Sequence, residues 1–387
     1  MSDWQQRDKN YIANTYARFP VEIISGKGSV VTDTAGKEYI DLGSGIGVTA
    51  LGIADEGWQQ AVIQQLGLVQ HTSNLYYTDP CARLAETLCA RTGMKKVFFS
   101  NSGAEANECA IKVARKYAAQ KKGADCYTII TLENSFHGRT LTTLAATGQA
   151  HFHALFQPLT PGFVHVPAND CAALEQAMQT YNPAAILLEC VQGEGGVIPL
   201  DADFVQTAAR LAAQQDCLLM IDEVQTGNGR TAKLYAYMHY GIQPDVVTTA
   251  KGLGGGLPIG ATLLSEKVQD VLTPGDHGST YGGNPVCCAG ALHVLESLDD
   301  TLLDEVQKKS DYILSSLESA AGVQSITGKG LMLGILPERP VAEVLARCLE
   351  RGVLCLSAKQ KVRLLPALNI PMDTLRIAID RLKDALA

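Results

Sequence analysis

Lys251 is placed where a lysine amine could act as a nucleophile or a proton carrier. It follows the apolar run at residues 246–249 and precedes the glycine-rich residues 252–256. Burial at the end of a strand would lower the pKa of this amine and so favour its reactive neutral form. Most lysines are solvated surface groups, and that interpretation also fits this residue taken alone.

A second candidate is the start of a predicted helix. Ser102 is followed by Gly103 and Ala104, and Glu105 comes three residues after Ser102. The first N–H groups of a helix can bind an anion such as phosphate. A capping box of Ser102 and Glu105 explains the same residues without any ligand, so the spacing leaves both interpretations open.

The apolar run at residues 218–221 ends abruptly in Asp222, Glu223 and, after Val224, Gln225. Ligands of open α/β sheets lie at the carboxyl ends of the strands, so these polar groups are candidates for contact with a ligand. Capping of the following turn is the alternative.

Two loops carry aromatic, basic or hydroxyl side chains that could bind a ligand: Phe136, His137, Arg139, Ser279 and Thr280. Ordinary surface loops of the same composition are common, so the residue types alone do not decide between the two interpretations. The pair His151 and His153 lacks further spaced ligands, and no metal site is predicted.

Short apolar runs alternate with helix-period stretches between residues 97 and 266. This pattern predicts βαβ units and a largely parallel sheet. The predicted strands are 97–99, 128–132, 185–191, 217–222, 246–249 and 261–264. A strand meander is predicted before residue 48, a long helical stretch at 286–317, and a small α/β unit at 331–335, 341–350, 353–356 and 362–365.

The composition excludes several classes of protein. A chain of 387 residues with 46% apolar residues is globular and long enough for two or more structural units. Its net charge of −8, without a basic cluster, predicts no nucleic-acid partner. Eleven cysteines without a C-x-x-C pair predict neither a disulfide framework nor a zinc site, and fit the reducing cytoplasm. No apolar run is long enough to predict a membrane span, and residues 1–8 lack the apolar core of a signal peptide.

Taken in order, these segments resemble the class III aminotransferases of the fold type I pyridoxal phosphate enzymes, most closely the acetylornithine group. The resemblance covers nearly the whole chain and is carried by residues 71–76, 99–112, 136–140, 188–196, 221–230, 250–260 and 275–285. It implies an α/β fold with a large domain at 49–290, in which helices flank a mostly parallel central sheet. Residues 1–48 and 291–387, the two chain ends, would form a small α/β domain.

The resemblance also implies pyridoxal phosphate as cofactor and a role for each matching residue around its ring. Lys251 and Asp222 would be the catalytic pair. Lys251 would bind the cofactor covalently and then carry a proton, while Asp222 would pair with the pyridinium nitrogen. Gln225 would hydrogen-bond the ring oxygen, and Phe136 and Val224 would cover the two faces of the ring.

By the same resemblance, the cofactor phosphate would be held at Ser102, Gly103 and Ala104. Thr280 would reach the phosphate bound by the neighbouring subunit, and Ser279 would contact substrate at the same junction. Each active site would then be complete only in a homodimer.

Two arginines and one glutamate match the residues of the family that select substrates. Arg139 would hold the carboxylate of an acylated diamino acid or the distal carboxylate of glutamate. Arg363 would hold the α-carboxylate of glutamate or 2-oxoglutarate through a bidentate pair. Glu194 would pair with Arg363 when the bound amino donor has no carboxylate there, so that the arginine is never left unpaired.

The reaction implied is transfer of the terminal amino group of N-acetylornithine to 2-oxoglutarate, in the context of arginine biosynthesis. Ornithine, succinylornithine, succinyldiaminopimelate and 4-aminobutyrate are alternative amino donors. The chain departs from the family pattern at Cys190 and Asn228, which lie close in sequence to site elements. These departures leave the choice among the amino donors open. An aminomutase, which needs no glutamate-binding Arg363, and a non-catalytic binding protein are further alternatives.

Overall fold

The structure, a computed structural model, describes residues 2–387. The strands are β1 (Ile23–Lys27), β2 (Val30–Asp33), β3 (Glu38–Asp41), β4 (Lys96–Ser100), β5 (Ile129–Leu132), β6 (Phe163–Val166), β7 (Ala185–Leu188), β8 (Val191–Gln192), β9 (Ile198–Pro199), β10 (Leu218–Asp222), β11 (Val246–Thr249), β12 (Gly260–Leu264), β13 (Val323–Lys329), β14 (Met332–Pro337), β15 (Val353–Leu354), β16 (Leu356–Ala358) and β17 (Lys361–Leu364). The helices are α1 (Asp3–Tyr11), α2 (Ser44–Gly47), α3 (Glu56–Leu66), α4 (Asp79–Thr92), α5 (Gly103–Lys122), α6 (Leu141–Ala146), α7 (Ala150–His153), α8 (Cys171–Tyr181), α9 (Ala202–Gln214), α10 (Pro285–Ser297), α11 (Asp300–Leu317), α12 (Val341–Glu350) and α13 (Met372–Leu386). None of the helices in residues 2–387 is both long and apolar enough to cross a membrane.

A seven-stranded sheet in the order β4-β12-β11-β10-β7-β5-β6 lies at the centre of the fold. Only β12 runs antiparallel to its neighbours, so the predicted α/β fold with a mostly parallel sheet is confirmed. Alternate side chains of β7 and β10 belong to two different core clusters, one on each face of the sheet. This explains their continuous apolar sequence, because strands covered on both faces have no solvent side.

The two chain ends meet beside the central sheet. Strand β15 adds in parallel to the meander of β1, β2 and β3, with Val353 opposite Ile40. A second sheet, β13-β14-β17-β16, is antiparallel and presents Arg363 on β17. The meander and α12 agree with the sequence prediction. The domain division stays a prediction, and its boundary at residue 290 falls inside α10.

Some predicted elements differ from the structure. The strand predicted at 185–191 breaks after Leu188, because the side chain of Glu189 turns to accept backbone N–H groups. The long helix predicted at 286–317 is divided in two, and Asp299 caps the second half. Strands β6 and β13 were not predicted, since both lie at sheet edges and alternate polar with apolar residues only briefly.

Candidate active site

Most of the predicted site residues line one cavity of about 440 Å³ at the carboxyl ends of β5, β10 and β11. The predicted residues in its wall are Ser102, Gly103, Ala104, Phe136, Arg139, Asp222, Val224, Gln225 and Lys251. The cavity thus lies where strand-end side chains of an α/β sheet converge, as ligand sites of such sheets do.

Lys251 begins a single 3₁₀ turn, separated from the end of β11 at Thr249 by Ala250, and has a positive φ of 42°. Such a backbone is strained for a non-glycine residue and persists only where its surroundings fix it. Asn228 helps to do so, since its Nδ2 donates to Thr249 Oγ1 at 2.9 Å and to the Ala250 carbonyl at 3.2 Å. Burial lowers the pKa of the Lys251 amine, and the negative charge of Glu194 opposes this only in part.

Asp222 is a buried carboxylate that accepts hydrogen bonds from three directions. Asn107 Nδ2 donates to its Oδ2 at 2.7 Å, His137 Nδ1 lies 2.8 Å from the same oxygen, and the Val224 N–H donates to Oδ1 at 2.9 Å. Thr248 Oγ1 donates to Asn107 Oδ1 at 2.7 Å and so fixes which end of the amide faces the carboxylate. A carboxylate has about four acceptor positions, so one remains for a group in the cavity.

The start of α5 forms the predicted capping box in a modified form. Ser102 Oγ accepts from the Glu105 N–H at 3.2 Å, while Glu105 Oε2 accepts from the N–H of Asn101 rather than of Ser102. The N–H groups of Gly103 and Ala104 have no partner within residues 2–387. The cap and an anion can therefore share this helix start, because they use different N–H groups.

Gly103 and Val224 pack closely beneath the cavity. A Cβ added to Gly103 would lie 2.6 Å from Val224 Cγ1, so only glycine allows the helix start to approach the turn after β10. Phe136 lies at the other side of the wall, with its ring edge-on to Phe152 at 6.2 Å between centroids. The exposed Arg139 guanidinium lies 4.1 Å from the centroid of Phe152.

Arg363 and Glu194 do not line the cavity themselves, but they form a bidentate ion pair next to Gln225, which does. Arg363 Nη1 lies 2.6 Å from Glu194 Oε1, and Nη2 donates to Oε2 at 3.3 Å. Gln225 joins the two, because its Oε1 accepts from Arg363 Nη1 at 3.0 Å and its Nε2 donates to Glu194 Oε1 at 3.2 Å. Burial alone would raise the pKa of Glu194, but the charge of Arg363 and its hydrogen bonds hold that pKa below the ordinary value. Arg363 itself is 3% exposed.

Ser279 and Thr280 do not line this cavity. They lie in the wall of a second cavity, of about 460 Å³, between residues 71–78 and 277–285. One hydrogen bond links the two cavities, from Asn101 Nδ2 to Ser279 Oγ at 3.2 Å. Within one chain, therefore, the structure does not bring Thr280 to the helix start at Ser102.

Sequence reasoning assigned no role to three residues that the structure brings to the site: Asn107, Glu189 and Asn228. Burial raises the pKa of Glu189 to about 7. The signal that could have identified Asn107 is a polar residue next to the apolar stripe of a helix, and for Glu189 it is an acid inside an apolar run. Asn228 is a residue type that tolerates its positive φ of 56°.

The cavity fits pyridoxal phosphate in three respects. The Lys251 amine has no hydrogen bond or ion pair to any of residues 2–387 and can bond to a ligand. Asp222 keeps an acceptor position that a protonated ring nitrogen would satisfy. The N–H groups of Gly103 and Ala104 are available at a helix start, where a phosphate binds favourably.

Comparison with known proteins supports the same assignment. The family model described as "Aminotransferase class-III" matches residues 11–386. The chain is 52% identical to the acetylornithine aminotransferase of Haemophilus ducreyi, over 99% of this chain and 98% of that protein. Among solved structures, the ornithine aminotransferase of Toxoplasma gondii has a TM-score of 0.95 at 32% identity, covering 99% of this chain and 94% of that one. The N-acetylornithine aminotransferase of Stenotrophomonas maltophilia has a TM-score of 0.85 at 35% identity, covering 98% and 97%. The chain belongs to the class-III aminotransferases, which depend on pyridoxal phosphate.

Proposed function

We propose that this enzyme transfers the terminal amino group of N-acetylornithine to 2-oxoglutarate, which yields N-acetylglutamate semialdehyde and glutamate for arginine biosynthesis. The observation that carries the proposal is the bidentate Arg363–Glu194 pair beside a cavity with a second arginine, Arg139, at its exposed side. The 52% identity to an acetylornithine aminotransferase over nearly the full length supports the same substrate.

Pyridoxal phosphate, when bound, supplies an electron sink for the carbanion formed at the amine-bearing carbon. Lys251 removes and returns the proton at that carbon, and its lowered pKa supports this, since a neutral amine is needed as base. Asp222 would hold the ring nitrogen in its protonated form, and Gln225 would bind the ring oxygen. Phe136 and Val224 would hold the ring.

Ser102, Gly103 and Ala104 would hold the phosphate at the start of α5. The support for this role is the pair of unpartnered N–H groups together with the close packing of Gly103 on Val224. The positive end of the helix dipole adds to the attraction for a phosphate dianion.

The two arginines act as alternating carboxylate clamps. Arg139 binds the carboxylate that lies far from the reacting amine, and Arg363 binds the α-carboxylate of glutamate or 2-oxoglutarate. When N-acetylornithine presents its terminal amine, no carboxylate reaches Arg363, and Glu194 pairs with it instead. This exchange keeps a buried guanidinium compensated in both half-reactions.

The proposed assembly is a homodimer in the cytoplasm, with Thr280 and Ser279 completing the site of the other subunit. Exposed apolar side chains around the second cavity support such an interface: Leu75, Tyr76, Tyr77 and Tyr281. An exposed patch of this kind commonly marks a protein contact. Sedimentation should give a dimer, and a monomer that still binds the cofactor tightly would contradict this assembly.

A single-turnover titration tests the reaction. Cofactor-loaded protein is mixed with N-acetylornithine, ornithine or 4-aminobutyrate without any 2-oxo acid, and the absorbance band of the bound cofactor is followed. Rapid bleaching by N-acetylornithine, and slow bleaching by the others, is expected. Lys251→Ala should bind cofactor without turnover, with a loss on the order of 10⁴-fold, the upper range for a positioned acid–base group.

Ornithine is the second candidate amino donor, because the ornithine aminotransferase of Toxoplasma gondii has a TM-score of 0.95. Faster bleaching by ornithine than by N-acetylornithine would keep the aminotransferase and replace the substrate. Amino-group exchange that proceeds without any 2-oxo acid would instead indicate an aminomutase.

A further inference from the structure

The carboxyl group of Glu189 joins two loops at the wall of the cavity, one that contains Phe136 and one that contains Gly193 and Glu194. Glu189 follows β7, is 5% exposed and lines the cavity. Its Oε2 accepts from the Phe136 N–H at 2.9 Å, and its Oε1 accepts from the Gly193 N–H at 3.3 Å. No other side chain among residues 2–387 bonds to both loops through one carboxyl group.

The first of these bonds fixes the turn that carries the aromatic wall. Phe136 lies at the cavity, and the exposed Arg139 guanidinium is 5.4 Å from the centroid of its ring. Rotation of the turn would leave this buried N–H without an acceptor, which is costly, so the bond limits that rotation.

The second bond fixes the loop that carries Glu194. A Cβ added to Gly193 would clash with the side chain of Gln225, so the Gly193 backbone lies directly against that amide. Gln225 in turn bonds to both Glu194 and Arg363. Displacement of the Gly193 N–H would therefore shift the amide that aligns the ion pair.

The two loops also contact each other without Glu189. Gln192 Nε2 donates to the Glu133 carbonyl at 2.8 Å, and a Cβ on Gly195 would lie 2.5 Å from the Asn134 carbonyl. The loops are therefore packed as one unit, and Glu189 connects both of them to the end of β7.

We propose that Glu189 is a positioning residue that sets the aromatic wall at Phe136 and the Glu194–Arg363 pair together, so that it controls both cofactor affinity and the balance between the two half-reactions. The effect on the balance between the two half-reactions rests on the proposed function, whereas the effect on cofactor affinity does not. Cofactor affinity depends on Phe136 whatever the substrate is.

The essential property of Glu189 is that it offers an acceptor to each of two N–H groups. A carboxyl group does so whether it is charged or protonated, since each oxygen keeps a lone pair. Glutamine has one acceptor oxygen and one NH₂ donor, so Glu189→Gln can satisfy only one loop and places an NH₂ against the other N–H.

Glu223 provides a matched control. It is also a buried carboxyl, and it accepts from the Tyr237 N–H at 2.8 Å and from Thr226 Oγ1 at 2.5 Å. The hydroxyl can rotate to accept from an NH₂ group, so Glu223→Gln leaves both contacts intact. Glu223 does not line the cavity, and the control changes buried charge without affecting either loop.

The experiment compares wild type, Glu189→Gln and Glu223→Gln by three measurements. These are the dissociation constant of pyridoxal phosphate from each apoprotein by fluorescence titration, the denaturation midpoint of each apoprotein, and the single-turnover rates with N-acetylornithine and with glutamate. We expect Glu189→Gln to weaken cofactor binding about 2- to 10-fold, the effect of one lost neutral hydrogen bond. It should also reduce the N-acetylornithine rate more than the glutamate rate, because only the first half-reaction needs Glu194 on Arg363.

The proposal is overturned if Glu189→Gln lowers the denaturation midpoint but leaves cofactor affinity and the ratio of the two rates as they are in Glu223→Gln. If wild type reacts with another terminal amine instead of N-acetylornithine, the proposed substrate is wrong, and the same ratio is measured with that amine. If Glu189→Gln does not fold, Glu189→Asp keeps both acceptors on a shorter side chain. Glu189→Asp must then weaken cofactor binding and shift the ratio of the two single-turnover rates. An unchanged dissociation constant and an unchanged ratio would overturn the proposal.

Discussion

The two charged groups of the proposed site, Asp222 at its ring end and Arg363 at its substrate end, are held in different ways. At the ring end, Asp222 is held by Asn107, His137 and the Val224 N–H, and all of these groups lie on the central sheet or directly beside it. At the substrate end, Arg363 comes from a different sheet and has a carboxylate partner that is about one-third exposed. The ring end therefore holds a charge in one arrangement, and the more exposed carboxylate at the substrate end fits the exchange of partners that we propose.

This difference follows from what each end must bind. The cofactor ring is the same in both half-reactions, so a carboxylate with three fixed donors costs no reorganisation between them. The substrates differ in where their carboxylates lie, so a buried arginine needs a partner that can leave when a substrate carboxylate arrives. The comparison predicts that mutations at the ring end damage both half-reactions equally, and that mutations at the substrate end do not.

Asp222→Asn should have the largest effect. It retains the shape of the side chain but removes the charge, and its NH₂ group would face the donors of Asn107 and His137. Turnover should fall about 10²- to 10⁴-fold, the equivalent of about 3–5 kcal/mol for breaking a buried charge pair. Single-turnover rates with N-acetylornithine and with glutamate measure the effect, and they should fall together. A loss confined to one substrate would contradict a common ring site.

Arg363→Lys should have a smaller and unequal effect. Lysine keeps the charge but cannot form the bidentate pair, so the KM for 2-oxoglutarate should rise about 10- to 100-fold, for the loss of one charged hydrogen bond. The KM for N-acetylornithine should change less. Arg376→Lys is the matched control, because Arg376 forms an exposed pair with Asp373 on α13 that contributes little. Equal increases for both substrates would remove the distinction between the two ends.

The sequence predicted the ring end better than the substrate end for a physical reason. Asp222 is the last residue of an apolar strand, Lys251 comes two residues after the end of the neighbouring one, and parallel strand ends meet at one edge of a sheet. The Arg363–Glu194 pair joins β17 to the turn after β8, and its residues are 169 positions apart, so no local pattern indicates it and only the family resemblance did. The Asn107–Asp222 bond spans 115 positions and escaped prediction for the same reason.

The fold itself was largely predictable because the apolar runs of the central strands are continuous. Sequence patterns failed where a polar side chain takes over the role of the backbone. Glu189 ends β7 early by accepting N–H groups from two loops, and Asp299 divides the predicted long helix by capping α11. Ser279 and Thr280 lie outside the cavity of their own chain, and their roles stay predictions about the homodimer.

Asn228→Gly tests how strictly the ring end is fixed, and a smaller effect is expected. Glycine keeps the positive φ of this position but removes the amide that bonds to Thr249 and Ala250 before Lys251. The single-turnover rate should fall about 2- to 10-fold with both substrates, the effect of one lost hydrogen bond. Asn182→Gly is the control, because Asn182 also has a positive φ, of 41°, at the end of α8. An unchanged rate for Asn228→Gly would show that the turn at Lys251 is fixed without this amide.

The smallest effect is expected from Glu223→Gln, and it concerns stability rather than rate. Burial raises the pKa of Glu223 to about 7, above the ordinary value of 4.5, so the folded state binds more protons than the unfolded state between these values. The free energy of unfolding that Glu223 contributes is therefore fully present below about pH 4.5 and is lost as the pH rises to about 7. Histidines whose pKa is lowered by burial, such as His165, act in the opposite direction in both proteins and cancel in the difference.

The quantity to measure is thus the free energy of unfolding of Glu223→Gln minus that of wild type, from urea denaturation at several pH values. This difference should increase between pH 5 and pH 7, by at most about 1.4 kcal/mol per pH unit, and then become constant. Glu338→Gln, on the exposed surface, should give a flat difference over the same range. A flat difference for Glu223→Gln would mean that Thr226 and Tyr237 stabilise the charged carboxylate enough to offset its burial. A fixed charge one residue from Asp222 would then belong to the ring end as well, and the contrast between the two ends of the site would have to include it.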